Sequence, residues 1–208
     1  MPPRTGTRLV NSAPRRKRSE SSASLEANVG EAVRRLRVAS KLSVRTLAAR
    51  SRFSPSFISQ IELEQASPSL SSLDRLATAL GVTLGEFFGS HNTAASAVTK
   101  ANRRRRLTSW WSRARIEALS PMNAGRRFES LIVTLSPGGA SGKRPHSQTG
   151  EDFGLVLRGT VRLTLGDAVH ELAVGDAVTF NAATPHLWEN AGRQKASLLI
   201  VSSRLKPQ

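Results

Sequence analysis

Cysteine does not occur in this chain of 208 residues. Its absence excludes a disulfide framework, a thiolate metal site and a cysteine nucleophile, and it agrees with a reducing compartment. Long apolar runs are missing too. None approaches the roughly 18 residues that a membrane-spanning helix needs, and no apolar core follows the basic residues of the N-terminus. Neither membrane insertion nor secretion is expected, and a cytoplasmic location is. Acidic residues are scarce, 15 Asp and Glu against 31 Lys and Arg, for a formal net charge of +16. Such a balance calls for a polyanionic partner, nucleic acid first.

The excess charge is concentrated. Segment by segment it is +5 for residues 1–24, +2 for 25–90, +8 for 91–127 and +1 for 128–208. Residues 1–24, rich in Pro, Ser and Arg and holding the run Arg15-Arg16-Lys17-Arg18, read as a disordered basic tail. Residues 25–89 read as a helical domain, 90–125 as a basic linker leading into a first strand, and 126–208 as a domain of strands. The two folded regions are nearly neutral, so tail and linker act as arms that grip phosphate without reading sequence. Arg103–Arg106 followed by Trp110-Trp111 has two readings, a nucleic-acid patch or a plain connector, and the tryptophans pack on protein or stack on a base.

The helical domain opens with Leu25, Val29, Ala32, Val33 and Leu36 on one face. Ser43 then caps a second helix running to about Ser51, with Leu42 and Leu47 spaced as a hydrophobic staple. A third opens at Ser54-Pro55, serine as N-cap and proline at the first helical position. With Phe57, Ile58 and Ile61 inward, Ser56 and Ser59 point outward and Pro55 and Gln60 flank them. Pro68 and Ser69 start a fourth helix, which Gly81 ends, and Thr83 caps a short fifth. Two short helices with a polar outer face are either a DNA-reading pair or an ordinary helical hairpin, and spacing alone leaves these level.

The residues themselves separate the readings. Leu47-Ala48, Ser54-Pro55-Ser56, Ile58-Ser59-Gln60-Ile61-Glu62, Pro68-Ser69-Leu70 and Ala79-Leu80-Gly81-Val82 resemble the Cro/repressor-like (XRE family) helix-turn-helix domains of bacterial and phage regulators. The likeness covers roughly residues 28–88. It implies that Ser56, Ser59 and Gln60 approach base edges in the major groove, that Ser54 and Pro55 belong to the same DNA-binding set, and that Ser43, Val44 and Arg45 meet the DNA backbone. Arg52 and Glu64 stand where that family usually has glycine. A left-handed backbone there costs each on the order of 1 kcal/mol.

After Phe128 the period becomes two, in FESLIVTL, FGLVLRG, TVRLTL, VHEL, AVTF and SLLIVSS, with Gly166-Asp167 as a tight hairpin turn. Short strands with many turns predict an antiparallel barrel or jelly roll. This stretch resembles the cupins. Their first motif falls on His146, Gln148, Asp152 and Gly159, and their second on Gly175, His186 and Asn190. In metal-binding cupins three histidines and a glutamate converge. Here Gln148 replaces one histidine and Asp152 the glutamate, so His146, Asp152 and His186 are weak metal candidates and no cofactor is expected. The preferred reading is that His146, Gln148, Asp152 and His186 line an effector pocket. His91 and His170 carry no such context.

Together these features predict a multidomain α and β protein, a five-helix helix-turn-helix domain joined to a cupin barrel. The resemblance implies a bacterial, nucleoid-associated regulator of transcription that binds double-stranded DNA as a homodimer and senses a small molecule. The expectation is that it is not an enzyme. The alternative is a metal-dependent cupin dioxygenase or isomerase carrying an autoregulatory DNA-binding domain.

Overall fold

The computed structural model of the chain describes residues 26–88, 98–119 and 128–203. The basic tail, Leu25 and His91 lie outside these. The helical domain holds α1 (Val29–Ala39), α2 (Val44–Ser51), α3 (Pro55–Glu62) and α4 (Leu70–Leu80). Each begins on a side chain that accepts from a first-turn backbone N–H: Asn28 from Glu31, Ser43 from Thr46, Ser54 from Phe57 and Ser69 from Ser72. These caps satisfy amides that no carbonyl in the helix reaches. Gly81 ends α4 at φ 68°.

The five-helix expectation needs correcting. The fifth element, Leu84–Phe88, is a 3-10 turn. Glu86 takes the Thr83 N–H at 3.1 Å and the Glu86 N–H bonds the Thr83 carbonyl, so the five residues wind tightly without opening an α-helix. Leu84, Phe87 and Phe88 are nonetheless fully buried and share one apolar core with Val33, Leu73 and Leu76.

Strands begin inside the stretch read as linker. β1 (Arg106–Ser109) and β2 (Ala114–Ala118) form a hairpin whose second strand pairs with β3 (Phe128–Leu135). Their buried uncharged members, Leu107, Ser109, Ala114, Ile116 and Ala118, are small or separated by arginines, so the charge run hides the alternation. The remaining strands are β4 (Glu151–Arg158), β5 (Val161–Leu165), β6 (Ala168–Leu172), β7 (Ala177–Asn181), β8 (His186–Glu189) and β9 (Ala196–Ser203). All pairings are antiparallel, and Leu165 pairs with Ala168 across the Gly166-Asp167 turn.

The barrel expectation is met only in part. The described strands make two sheets, a six-stranded one in the order β1-β2-β3-β9-β4-β7 and a three-stranded one in the order β6-β5-β8. Beyond β8, only single bridges from Ala140 to Glu189 and from His146 to His186 connect onward. That bridging segment contains Pro137, Gly138, Gly139 and Pro145, which cannot sustain a ladder. The sheets face each other over a shared core in which Trp188, Leu163 and Val161 of one meet Val156, Leu198 and Ile200 of the other. Gly154 on β4 makes room for Trp188, since a Cβ there would lie 2.6 Å from the indole.

The domains are in contact. The Ala27 N–H bonds the Arg106 carbonyl at 2.7 Å, the Ser71 N–H bonds that of Ser141 at 2.9 Å, and the Gly85 N–H bonds buried Glu129 Oε1 at 3.0 Å. At Gly142 the packing is so close that a Cβ would lie 2.2 Å from Ser71 Oγ.

Candidate functional site

α3 owes its orientation to its own sequence and to its neighbours. Ile58 and Ile61 are fully buried, and Phe57 is half-buried against the Phe53 ring at 5.0 Å. Arg37 of α1 grips Glu62 at the end of α3 with two hydrogen bonds of 2.6 and 2.9 Å, a forked pair that fixes the crossing of the two helices. Glu62 holds the Arg37 guanidinium above its ordinary value, against the opposing effect of burial. The turn between α2 and α3 is held by Arg75, whose guanidinium donates to the Ser51 and Arg52 carbonyls at 2.7 and 2.8 Å and lies 4.0 Å from the Phe53 ring. Arg52 and Glu64 adopt φ 54° and 59°, so both left-handed turns persist without glycine.

The outer face of this unit is open. Ser54, Pro55, Ser56 and Gln60 are exposed and Ser59 is half-exposed, while at the start of α2 Ser43 and Arg45 are exposed and Val44 is half-buried. None of these eight is buried, and Ser43 and Ser54 serve also as caps. The surface is small and polar, with hydroxyls and one amide at the position where a base edge would be read.

The second cluster lies between the two domains. Asp152 on β4 and His186 on β8 are each about 2 % exposed, and His146 and Gln148 approach from the irregular segment before β4. The Gln148 amide donates to both Asp152 oxygens at 3.1 and 2.9 Å. His186 Nδ1 faces the Thr184 carbonyl at 3.0 Å, leaving Nε2 3.6 Å from Asp152 Oδ2. The two imidazole centres are 4.4 Å apart. Burial lowers the His186 pKa most, and His146 lowers it further; the Thr184 carbonyl, Asp152 and Asp74 act in the opposite sense.

Sequence reasoning missed Asp74. This buried α4 carboxylate reaches across the domain boundary to within 3.5 Å of His146 Nε2. In a helical pattern it reads as an ordinary polar position, and only the packing of α4 on the strands reveals it. Glu151 is exposed beside buried Asp152, as alternation requires. His170 is exposed on β6. Trp111, at the tip of the β1–β2 hairpin, stacks on Phe57 of α3 at 6.4 Å between centroids.

The donor set suits a metal poorly. Among the described residues no three His, Asp or Glu side chains converge in a way that could hold an ion, and Gln148 already occupies both oxygens of Asp152. Buried His146 Nδ1 and Gln148 Oε1 have no hydrogen-bond partner among the described residues. Gly159 and Gly175 take φ of 74° and 94°, and buried Asn190 donates to the Leu135 and Gln194 carbonyls. These motif residues shape turns.

Comparison with known proteins follows the same division. A family model described as Helix-turn-helix matches residues 33–87, and one described as Cupin domain matches residues 131–202. The chain joins a helix-turn-helix domain to a cupin domain. The HTH-type transcriptional regulator PuuR of Escherichia coli (strain K12) is 28% identical over 161 residues, 77% of this chain and 86% of that protein. SutR, another HTH-type transcriptional regulator of that strain, is 25% identical over 152 residues, 73% of this chain and 81% of that protein. The crystal structure of an HTH_3 family transcriptional regulator from Vibrio cholerae has the same fold, with a TM-score of 0.67 at 21% identity over 88% of this chain and 97% of that one. Among the described residues, no helix of this helix-turn-helix cupin protein is long and apolar enough to cross a membrane.

Proposed function

We propose that this helix-turn-helix cupin protein is a sequence-specific DNA-binding regulator of transcription that acts as a homodimer and answers to a small molecule. The observation that carries the reading is the open face of α3, where Pro55, Ser56 and Gln60 stand exposed on a helix locked from behind by Ile58, Ile61 and the Arg37–Glu62 pair. A helix so held presents a fixed pattern of donors and acceptors to a major groove. The likeness to two HTH-type transcriptional regulators supports it.

Two copies fit the size of the reading unit. α3 has eight residues, enough for a few base pairs, and a two-fold pair on half-sites about 34 Å apart multiplies the specificity. The sensing role is supported by the cluster at the domain boundary. Asp74 of the helical domain and His146 of the cupin domain meet at 3.5 Å, so a molecule bound at this boundary touches both domains. Its differential affinity for two domain arrangements would set the change in DNA affinity.

A non-enzymatic role is supported by the same cluster, whose amide replaces an imidazole and whose acid is already bonded. Selection of bound duplexes from a random pool by the full-length protein tests the function directly. Enrichment of a two-fold-related sequence is expected. Recovery of the unselected pool would overturn the reading.

A further inference from the structure

The cavity inside the cluster, bounded by Asp74, His146, Gln148, Asp152 and His186, measures about 20 Å³. That holds one water molecule, whereas sites for organic ligands run to roughly 300–1,000 Å³. A metabolite therefore does not fit behind the histidines in this arrangement of the domains. On the outer side of His146 a cleft of about 1340 Å³ opens between the domains.

The lining of that cleft is chemically one-sided. Arg50, Arg52 and Arg75 come from the helix-turn-helix domain and Lys143 and Arg144 from the cupin domain, and among the described residues no Asp or Glu lines it. Serine hydroxyls cover much of the rest, among them Ser69 and Ser72 at the start of α4. Arg50, Arg52, Lys143 and Arg144 are exposed, and among the described residues none has a salt-bridge partner. Trp111 and Phe57 give one apolar wall. Burial, and after it the neighbouring charge of Arg52, lowers the pKa of Arg75.

The geometry points to this interdomain cleft as a binding site for a phosphate-bearing anion, held between Arg50 and Arg52 on one side and Lys143 and Arg144 on the other. The inference rests on the reading of the chain as a DNA-binding regulator that answers to a small molecule, and it moves the ligand from the buried histidine cluster to the open cleft beside it. Guanidinium and ammonium groups with nearby hydroxyls are the donors phosphate takes. Because Ser54, the N-cap of α3, lines the cleft, an occupant would bear on the recognition helix directly. The phosphate has two sources, a free metabolite or the backbone of bound DNA.

Calorimetry of the full chain with inorganic pyrophosphate, run beside titration of a random 20-base-pair duplex over a range of salt, separates these sources. The variants are Lys143→Gln/Arg144→Gln and, from the opposite wall, Arg52→Gln, with circular dichroism as the check on folding. A free-anion site predicts that the wild type binds pyrophosphate, that both variants bind it at least tenfold more weakly, and that the double variant holds DNA within about twofold. A backbone site predicts that the double variant loses at least tenfold in DNA affinity and that its log–log salt slope is shallower by about two. Unchanged DNA binding in the variants, together with pyrophosphate binding that is absent or equal in all proteins, overturns the inference. Failure of the wild type to bind any duplex would instead overturn the regulator reading.

Discussion

Gly30 of α1 sits where a methyl group would meet the Ile61 carbonyl oxygen at 2.5 Å and that of Glu62 at 3.2 Å. Both neighbours are backbone, so α1 and α3 would have to separate. Gly30→Ala is therefore expected to destabilise the protein by roughly 1–3 kcal/mol in urea unfolding, although alanine ordinarily favours a helix. An unchanged midpoint would show that the helices give way freely. The sequence showed Gly30 only as a small residue within a helical pattern, because close approach of two backbones leaves no mark on periodicity. His186 yields a second test. Its folded-state pKa lies below the ordinary histidine value, so the unfolded chain binds the proton first as pH falls. The stability from neutral His186 is thus present above the ordinary histidine pKa and is lost as pH falls through it toward the folded value. His146, Gln148, Asp152 and Asp74 face that ring. Urea midpoints taken from about pH 7.5 to 5.5 should fall more steeply for the wild type than for His186→Gln, and parallel curves would contradict the assignment.

Among the elements, those with local signals were legible. Ser43, Ser54 and Ser69 are caps, Gly81 ends α4, and the Gly166-Asp167 turn joins β5 and β6 as read. Elements whose signals are tertiary were not. β1 and β2 hide among arginines, β8 is four residues long, and the Leu84–Phe88 segment is helical in pattern but wound as a 3-10 turn. The site divides in the same way. His146, Gln148, Asp152 and His186 gather as their motif implies, while Asp74 joins them only because α4 docks on the strands. Stability at that boundary should be shared between the domains. Removing the buried carboxylate by Asp74→Ala is expected to cost about 1–3 kcal/mol and to lower the unfolding midpoint reported by tryptophan, although all three tryptophans lie in the β1–β2 turn and β8. A tryptophan signal that ignores this helical-domain change would show the domains to be uncoupled.

For the whole molecule, charge and shape divide the labour. The excess of positive charge belongs to residues 1–24 and 91–127, while the face that would read bases is small and polar. Removing residues 1–24 should weaken binding to specific and random DNA by similar factors and flatten the salt dependence, as loss of phosphate contacts does. A salt slope equal to that of the intact chain would rule out the tail as an arm. The central claim concerns α3, and its most direct test is the ratio of affinities for a selected site and for random DNA, measured for the wild type and for Gln60→Ala. The account predicts that the variant loses about 1–3 kcal/mol on the selected site with little change on random DNA. An equal loss on both would contradict it, because α3 would then be gripping DNA without reading it.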